Sequence, residues 1–130
     1  MLDRIDIHVD VPQVLASKIV SDDENLTESS ARIRKRVIGA RKRQERRFKD
    51  KKIVTNSEMT SRQLKEFAKI EEDARSVLKE ALIRLSLSAR SYHKVIKIAQ
   101  TIADLQNSNS IQREHVLEAL QYRPRMVNRE

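Results

Sequence analysis

Arg90 is the residue of this chain best placed to do chemistry. It stands two positions after Ser88 and just ahead of the apolar positions Tyr92, Val95 and Ile96. That spacing predicts a helix capped by Ser88 with Arg90 in its first turn. A cation there lies beside the positive end of the helix dipole, which disfavours it by a few tenths of a kcal/mol. The free backbone N–H groups of the same turn make an anion site. Two readings stand on spacing alone: an arginine held there to read a phosphate, or one whose head swings into water. The three histidines, His8, His93 and His115, fall on three different elements and have no ligand-spaced partners, so no metal site is expected. A single glycine cannot build a phosphate-binding G-x-x-x-x-G-K-[ST] loop, and there is no serine elbow. The chain by itself is not expected to be an enzyme.

Charge supplies the second candidate. The segment Ala31–Lys52 holds 12 of the 27 Lys and Arg residues but only 2 of the 19 Asp and Glu, so the whole basic character of the chain sits there. Its candidate phosphate contacts are Arg36, Arg41, Lys42, Arg43, Arg46 and Arg47. Such a surface tracks DNA or RNA through phosphates, without reading sequence. The alternative is a solvated helix, or one whose arginines pair with acidic surface on another domain or subunit. With only Phe48 nearby, base stacking has little to work with.

These residues need elements to position them. In 130 residues, 38% hydrophobic and 35% charged, one Gly and two Pro argue against a turn-rich β fold, and the chain reads as all-α. The absence of cysteine excludes disulfides and thiol chemistry and fits a reducing, cytoplasmic setting. No apolar run reaches membrane-spanning length and the N-terminus lacks signal-peptide character, so no membrane partner is expected. Arg4–Val11 alternates strictly, with Ile5, Ile7, Val9 and Val11 on one side, which is the period of a half-buried strand. It has no partner beyond the short patch Ile53–Thr55, so we read it as an orphan strand of a sheet outside this chain. Ser17–Ser29 reads as an acidic linker. A basic helix over about Ser30–Lys49 carries Ile33, Val37, Ala40, Gln44 and Phe48 at helical spacing. Thr60 and Gln63 match a capping box opening a short helix through Phe67. Three amphipathic helices follow. The first carries Ala74, Val77, Leu78, Ala81, Leu82 and Leu85. The second carries Tyr92, Val95, Ile96, Ala99, Ile102 and Ala103. The third, about Arg113–Tyr122, carries Val116, Ala119 and Leu120 and stops before Pro124. The expected architecture is a small helical bundle with a long basic helix and the orphan strand ahead of it.

Several blocks together resemble one family. They are Leu87-Ser88-Ala89-Arg90, Thr101-Ile102-Ala103-Asp104-Leu105 and His115–Leu120 with Tyr122-Arg123. Glu28-Ser29-Ser30 before a helix with Arg36-Val37, Ala40-Arg41, Gln44 and Arg47, followed by Asn56, adds to them, as does Leu2-Asp3-Arg4-Ile5-Asp6 at the front. In this order they are similar to the C-terminal region of magnesium-chelatase-like AAA+ ATPases of the ComM type. The resemblance implies a lid domain over residues 29–130, preceded over 1–28 by the last core strand and linker. It also implies a homo-hexameric ring that uses Mg-ATP and works on DNA, for the ComM type by branch migration during natural transformation. On that resemblance Arg4 corresponds to an arginine finger acting in trans and Arg90 to a sensor-2 arginine. The isolated chain, without Walker motifs, is expected to hold no cofactor. Gln100 and Lys94 depart from the family's usual arginines, which leaves open whatever those arginines contact. Two rivals remain: a freestanding basic DNA-binding module, and a purely structural or oligomerisation domain without nucleotide contact.

Overall fold

Helix α1 (Ser30–Arg47) runs toward the bundle and joins it only through its C-terminal half. Ser29 caps it, its hydroxyl accepting from the Arg32 amide at 3.2 Å. A 3-10 turn at Asn56–Glu58 leads to α2 (Ser61–Phe67), α3 (Glu72–Arg84), α4 (Ala89–Leu105) and α5 (Arg113–Gln121). These elements come from a computed structural model, which describes residues 4–11 and 28–123. The expected linker Ser17–Ser29 up to residue 27, and Pro124, lie outside the described residues. The all-α bundle is the architecture present.

Helix starts and stops follow local chemistry. Thr60 and Gln63 form the expected capping box at α2, with Gln63 Oε1 accepting from the Thr60 amide at 3.0 Å and Thr60 Oγ1 from the Gln63 amide at 3.2 Å. Without glycine at the helix ends, the chain turns each long helix with another residue in the left-handed region: Asp50 (φ 67°), Ser86 (φ 49°) and Asn107 (φ 59°). After α3 and α4 the backbone closes a Schellman-type bond, Leu87 N to Leu82 O at 3.3 Å and Ser108 N to Ala103 O at 2.8 Å.

Helix α4 is the centre of the bundle. It packs against α1, α2, the 3-10 turn and α5, and α3 packs on α5 from outside. Val95, Ile96, Ala99 and Ile102 of α4 meet Phe48, Met59, Leu64, Leu78, Ile111, Val116 and Ala119 in one apolar cluster. The approaches to α3 and α5 are stapled together, Ile111 N donating to Lys69 O at 2.7 Å and Glu71 N to Ile111 O at 3.0 Å. His115 is fully buried beside this staple. Its Nδ1 accepts from the Gln112 amide at 2.9 Å and its Nε2 lies 3.0 Å from Gln106 Oε1, which ties the start of α5 to the end of α4.

Two expectations need correction. The apolar stripe of α1 is packed only at Ala40, Gln44 and Phe48; Ile33 and Val37 are 44% and 43% exposed, because the first half of the helix extends past the bundle. Residues 4–11 form no strand: a ladder needs a second strand, and none exists among the described residues. Instead the segment lies across the bundle, its His8 amide donating to Tyr122 O at 2.7 Å. Its alternating apolar side chains remain about half or more exposed, Ile7 at 51% and Val11 at 84%.

Candidate functional site

Arg90 occupies the second position of α4, as its spacing predicts. Ser88 caps the helix, its Oγ accepting from the Ser91 amide at 3.1 Å. Ser88→Ala is expected to cost about 1 kcal/mol, read as a lower thermal midpoint by circular dichroism, and it loosens the turn that aims Arg90. The Arg90 guanidinium makes no hydrogen bond or ion pair among the described residues and is exposed. It stands at the rim of a cavity of about 890 Å³ whose floor is apolar, with Met59, Leu64 and Ile102, and whose near wall is the cationic face of α4. Lys94 and Lys97 follow Arg90 at i+4 and i+7 on that face. The Lys94 ammonium is buried without a hydrogen bond, its nearest opposite charge Asp6 Oδ1 at 3.5 Å, while Lys97 Nζ donates to Ser57 O at 3.1 Å.

The 4–11 segment forms part of the cavity wall through Asp6, Ile7 and Val9. Arg4 belongs to that segment but is exposed and does not line the cavity, so the structure does not bring Arg4 and Arg90 together in one site. Tyr122 closes the far side. Its hydroxyl donates to Glu118 Oε2 at 2.9 Å, and this hydrogen bond, with burial and the nearby negative charge, raises the phenol above its usual pKa of 10.0. Among the described residues no three His, Asp or Glu side chains converge as metal ligands.

At the other end of α4 lies a buried polar hub that sequence reasoning missed. Asp104 is 2% exposed and accepts a two-pronged bond from Arg47, Nη2 to Oδ1 at 2.6 Å and Nη1 to Oδ2 at 3.0 Å. Asn56 Nδ2 donates to the same Oδ2 at 2.9 Å, and Gln100 Nε2 to Oδ1 at 3.3 Å. Gln44 Oε1 accepts from the Asn56 amide at 2.9 Å, completing the ring of contacts to α1. Arg43 reads the turn after α4, donating to Asn107 Oδ1 at 2.5 Å, Asn109 Oδ1 at 2.8 Å and Ser108 O at 2.9 Å. One signal was visible beforehand: Gln44 interrupts the apolar stripe of α1, and a buried amide requires a partner.

The six expected phosphate contacts therefore divide. Arg43 and Arg47 turn inward: Arg47 bonds to the hub, and Arg43 bonds through both Nη groups to the turn after α4, while its buried Nε, 3.8 Å from Asp104 Oδ1, makes no hydrogen bond. Arg36 pairs with Glu28 at 2.5 Å. Arg41, Lys42 and Arg46 are exposed on α1, and so are Arg32, Arg34 and Lys35. Gln100 enters the hub as a neutral donor to Asp104.

Comparison with known proteins places this arrangement. Residues 27–123 match the family model for the C-terminal domain of magnesium chelatase subunit ChlI. The protein YifB of Salmonella typhimurium is 36% identical over 122 residues, and the competence protein ComM of Haemophilus influenzae is 35% identical over 122 residues. In both cases the match covers 94% of this chain and 23% of the relative. Rv2897c of Mycobacterium tuberculosis is 29% identical over 123 residues, covering 95% of this chain and 24% of its own length. The chain thus spans about a quarter of the curated relatives it matches. With the matched region running from the cap of α1 to the end of α5, the chain belongs to the magnesium chelatase ChlI C-terminal domain family.

Proposed function

We propose that this chain is the lid of a magnesium-chelatase-like AAA+ ATPase, with residues 29–130 as the lid and 1–28 as the end of the ATPase core and its linker. In this reading Arg90 is the sensor-2 arginine. The observation that carries it is a guanidinium without a partner among the described residues, in the first turn of α4 at the rim of a large cavity. Where a folded protein leaves an arginine unpaired beside a cavity and a helix start, a phosphate matches both. ATP supplies the γ-phosphoryl group that passes to water. Arg90 suits its terminal phosphate because its guanidinium offers two N–H groups in a plane, whereas Lys94, one turn further along, faces Asp6. Magnesium and the phosphate loop belong to the core in this reading.

The exposed apolar side chains of residues 4–11 support the rest of it. Ile5, Ile7, Val9 and Val11 alternate as a strand and stay uncovered, as they should if the covering sheet belongs to a core. A freestanding DNA-binding module has no use for them. The family resemblance adds a homo-hexameric ring that acts on DNA in the cytoplasm by branch migration, and that one relative is named a competence protein fits a DNA-handling role. The exposed cations of α1 supply a surface suited to that role.

Arg90→Ala in the full-length protein is the test. Loss of a charge-assisted contact made to the reacting phosphate is expected to lower ATP turnover by about 10- to 100-fold. Assembly, followed by size-exclusion chromatography, is expected to stay intact. Turnover at the wild-type rate removes Arg90 from the role.

A further inference from the structure

The one glycine of the chain stands where the fold gives it no reason to be. Gly39 lies in the middle of α1 with ordinary helical backbone, and a Cβ added there would meet nothing within 4 Å. Glycine in a helix interior is less stable than alanine, so neither packing nor conformation accounts for it. Its surroundings do. At about 100° per residue, Arg32, Lys35, Lys42 and Arg46 fall within about 60° of Gly39 on α1, away from the packed stripe Ala40, Gln44 and Phe48; Arg36 and Arg43 share that arc but are bonded to Glu28 and to the turn after α4. The first four are exposed, and none of their side chains makes a hydrogen bond or ion pair among the described residues. The row extends for about 21 Å along the helix axis, with the glycine near its midpoint.

We propose that the sugar-phosphate backbone of a nucleic acid runs along this face, and that Gly39 is the gap that lets a phosphate approach the helix backbone. The ligand is a polyanion bound through its phosphates, without base readout. A protein partner suits the face poorly. Protein interfaces are centred on apolar anchors, whereas this row has no apolar side chain. The inference rests on the DNA-acting part of the function proposed above. It also sharpens that part, because it replaces the inward-turned Arg43 and Arg47 with Arg32 and Lys35 and leaves Arg34, on the other side of α1, outside the contact.

The experiment titrates a fluorescein-labelled duplex DNA of mixed sequence with this chain, by anisotropy over a series of salt concentrations, alongside thermal melting of each variant. Gly39→Ala is expected to raise the melting temperature and still weaken DNA binding several-fold. Lys35→Ala and Lys42→Ala are each expected to reduce the salt slope by about one, and Arg34→Ala to change it least. A Gly39→Ala variant that is more stable and binds as well as wild type overturns the close approach. Equal losses from Arg34→Ala and Lys42→Ala overturn the assigned face while leaving DNA binding standing. Absence of salt-dependent binding overturns both this inference and the DNA-acting reading, whereas the Arg90 assignment is judged separately by ATP turnover.

Discussion

Asp104→Ala is expected to destabilise the chain by about 3–5 kcal/mol, a large share of what holds a domain of this size together. The reason is the asymmetry of buried charge. An intact buried pair is worth little against a well-packed apolar substitute, because desolvation offsets most of the attraction. Removing one partner is different, since the others keep their desolvation cost and lose their acceptor. Here the alanine leaves Arg47, Asn56 Nδ2 and Gln100 Nε2 facing an empty acceptor site, with Arg43 Nε 3.8 Å from where the carboxylate stood. Arg47 side-chain exposure is only 15%, so water cannot readily replace the lost carboxylate. Thermal unfolding followed by circular dichroism reads the effect. Asp104→Asn, which keeps an oxygen acceptor but not the charge, is expected to fall between alanine and wild type. Arg34→Ala, on exposed α1, should stay within about 0.5 kcal/mol of wild type. A midpoint for Asp104→Ala within about 4 °C of wild type, roughly 1 kcal/mol at this size, would falsify the hub as the fastener of α1.

The hub also explains which parts of the molecule were legible in the sequence. Helices were legible because their signals are local: Thr60 with Gln63, Ser88 before Arg90, and apolar positions repeating at three and four. The caps and helices stand where the spacing put them, although Ile33, Val37, Leu82 and Leu85 of the apolar stripes remain exposed. The orphan strand was legible as a pattern, but no sheet forms here, since pairing depends on a partner that the pattern cannot supply. Arg43 and Arg47 were misplaced for a related reason. A run of cations looks the same in sequence whether its members face water or a carboxylate 57 positions away, as Arg47 and Asp104 do. Composition places the run on a helix, whereas only the fold says which arginines point inward. Arg90 was readable because its position relative to a cap is a short-range fact; the cavity beside it is not.

Both ends of α4 then acquire roles within one rigid element. Arg90 stands at its second residue and Asp104 at its second-last, about 21 Å apart along a continuous helix. Asp104 fastens α1 to the bundle, so the direction in which the basic helix projects is set from the same element that aims Arg90. If Arg90 reads a phosphate as proposed, a domain arranged in this way keeps a fixed geometry between that end and its basic arm. Whatever moves the first moves the second as a body, without needing a chain of side-chain rearrangements between them. The cost of that rigidity is a buried polar cluster, whose value here is in orientation more than in net stability.

Arg4→Ala in the full-length protein is expected to lower ATP turnover by about 10³-fold or more, the scale of a lost arginine finger. The stronger experiment mixes it with Arg90→Ala. In a ring of head-to-tail subunits, a finger reaches the site of the neighbour while a lid arginine serves the site of its own chain. An Arg4→Ala subunit still carries a working Arg90, and an Arg90→Ala subunit still offers a working Arg4. Where the first holds the nucleotide and the second flanks it, the site is complete. Random co-assembly of equal amounts is therefore expected to restore roughly a quarter of the sites, from the even chance of each partner at each position in a closed ring. Turnover of the mixture should then rise well above that of either variant alone. Arg4 is exposed and does not line the cavity that Arg90 borders, so the two assignments are separable by experiment. If the mixture is no more active than its components, although mixed rings are shown to form, then Arg4 and Arg90 do not act on complementary sides of one shared site, and the trans assignment of Arg4 fails.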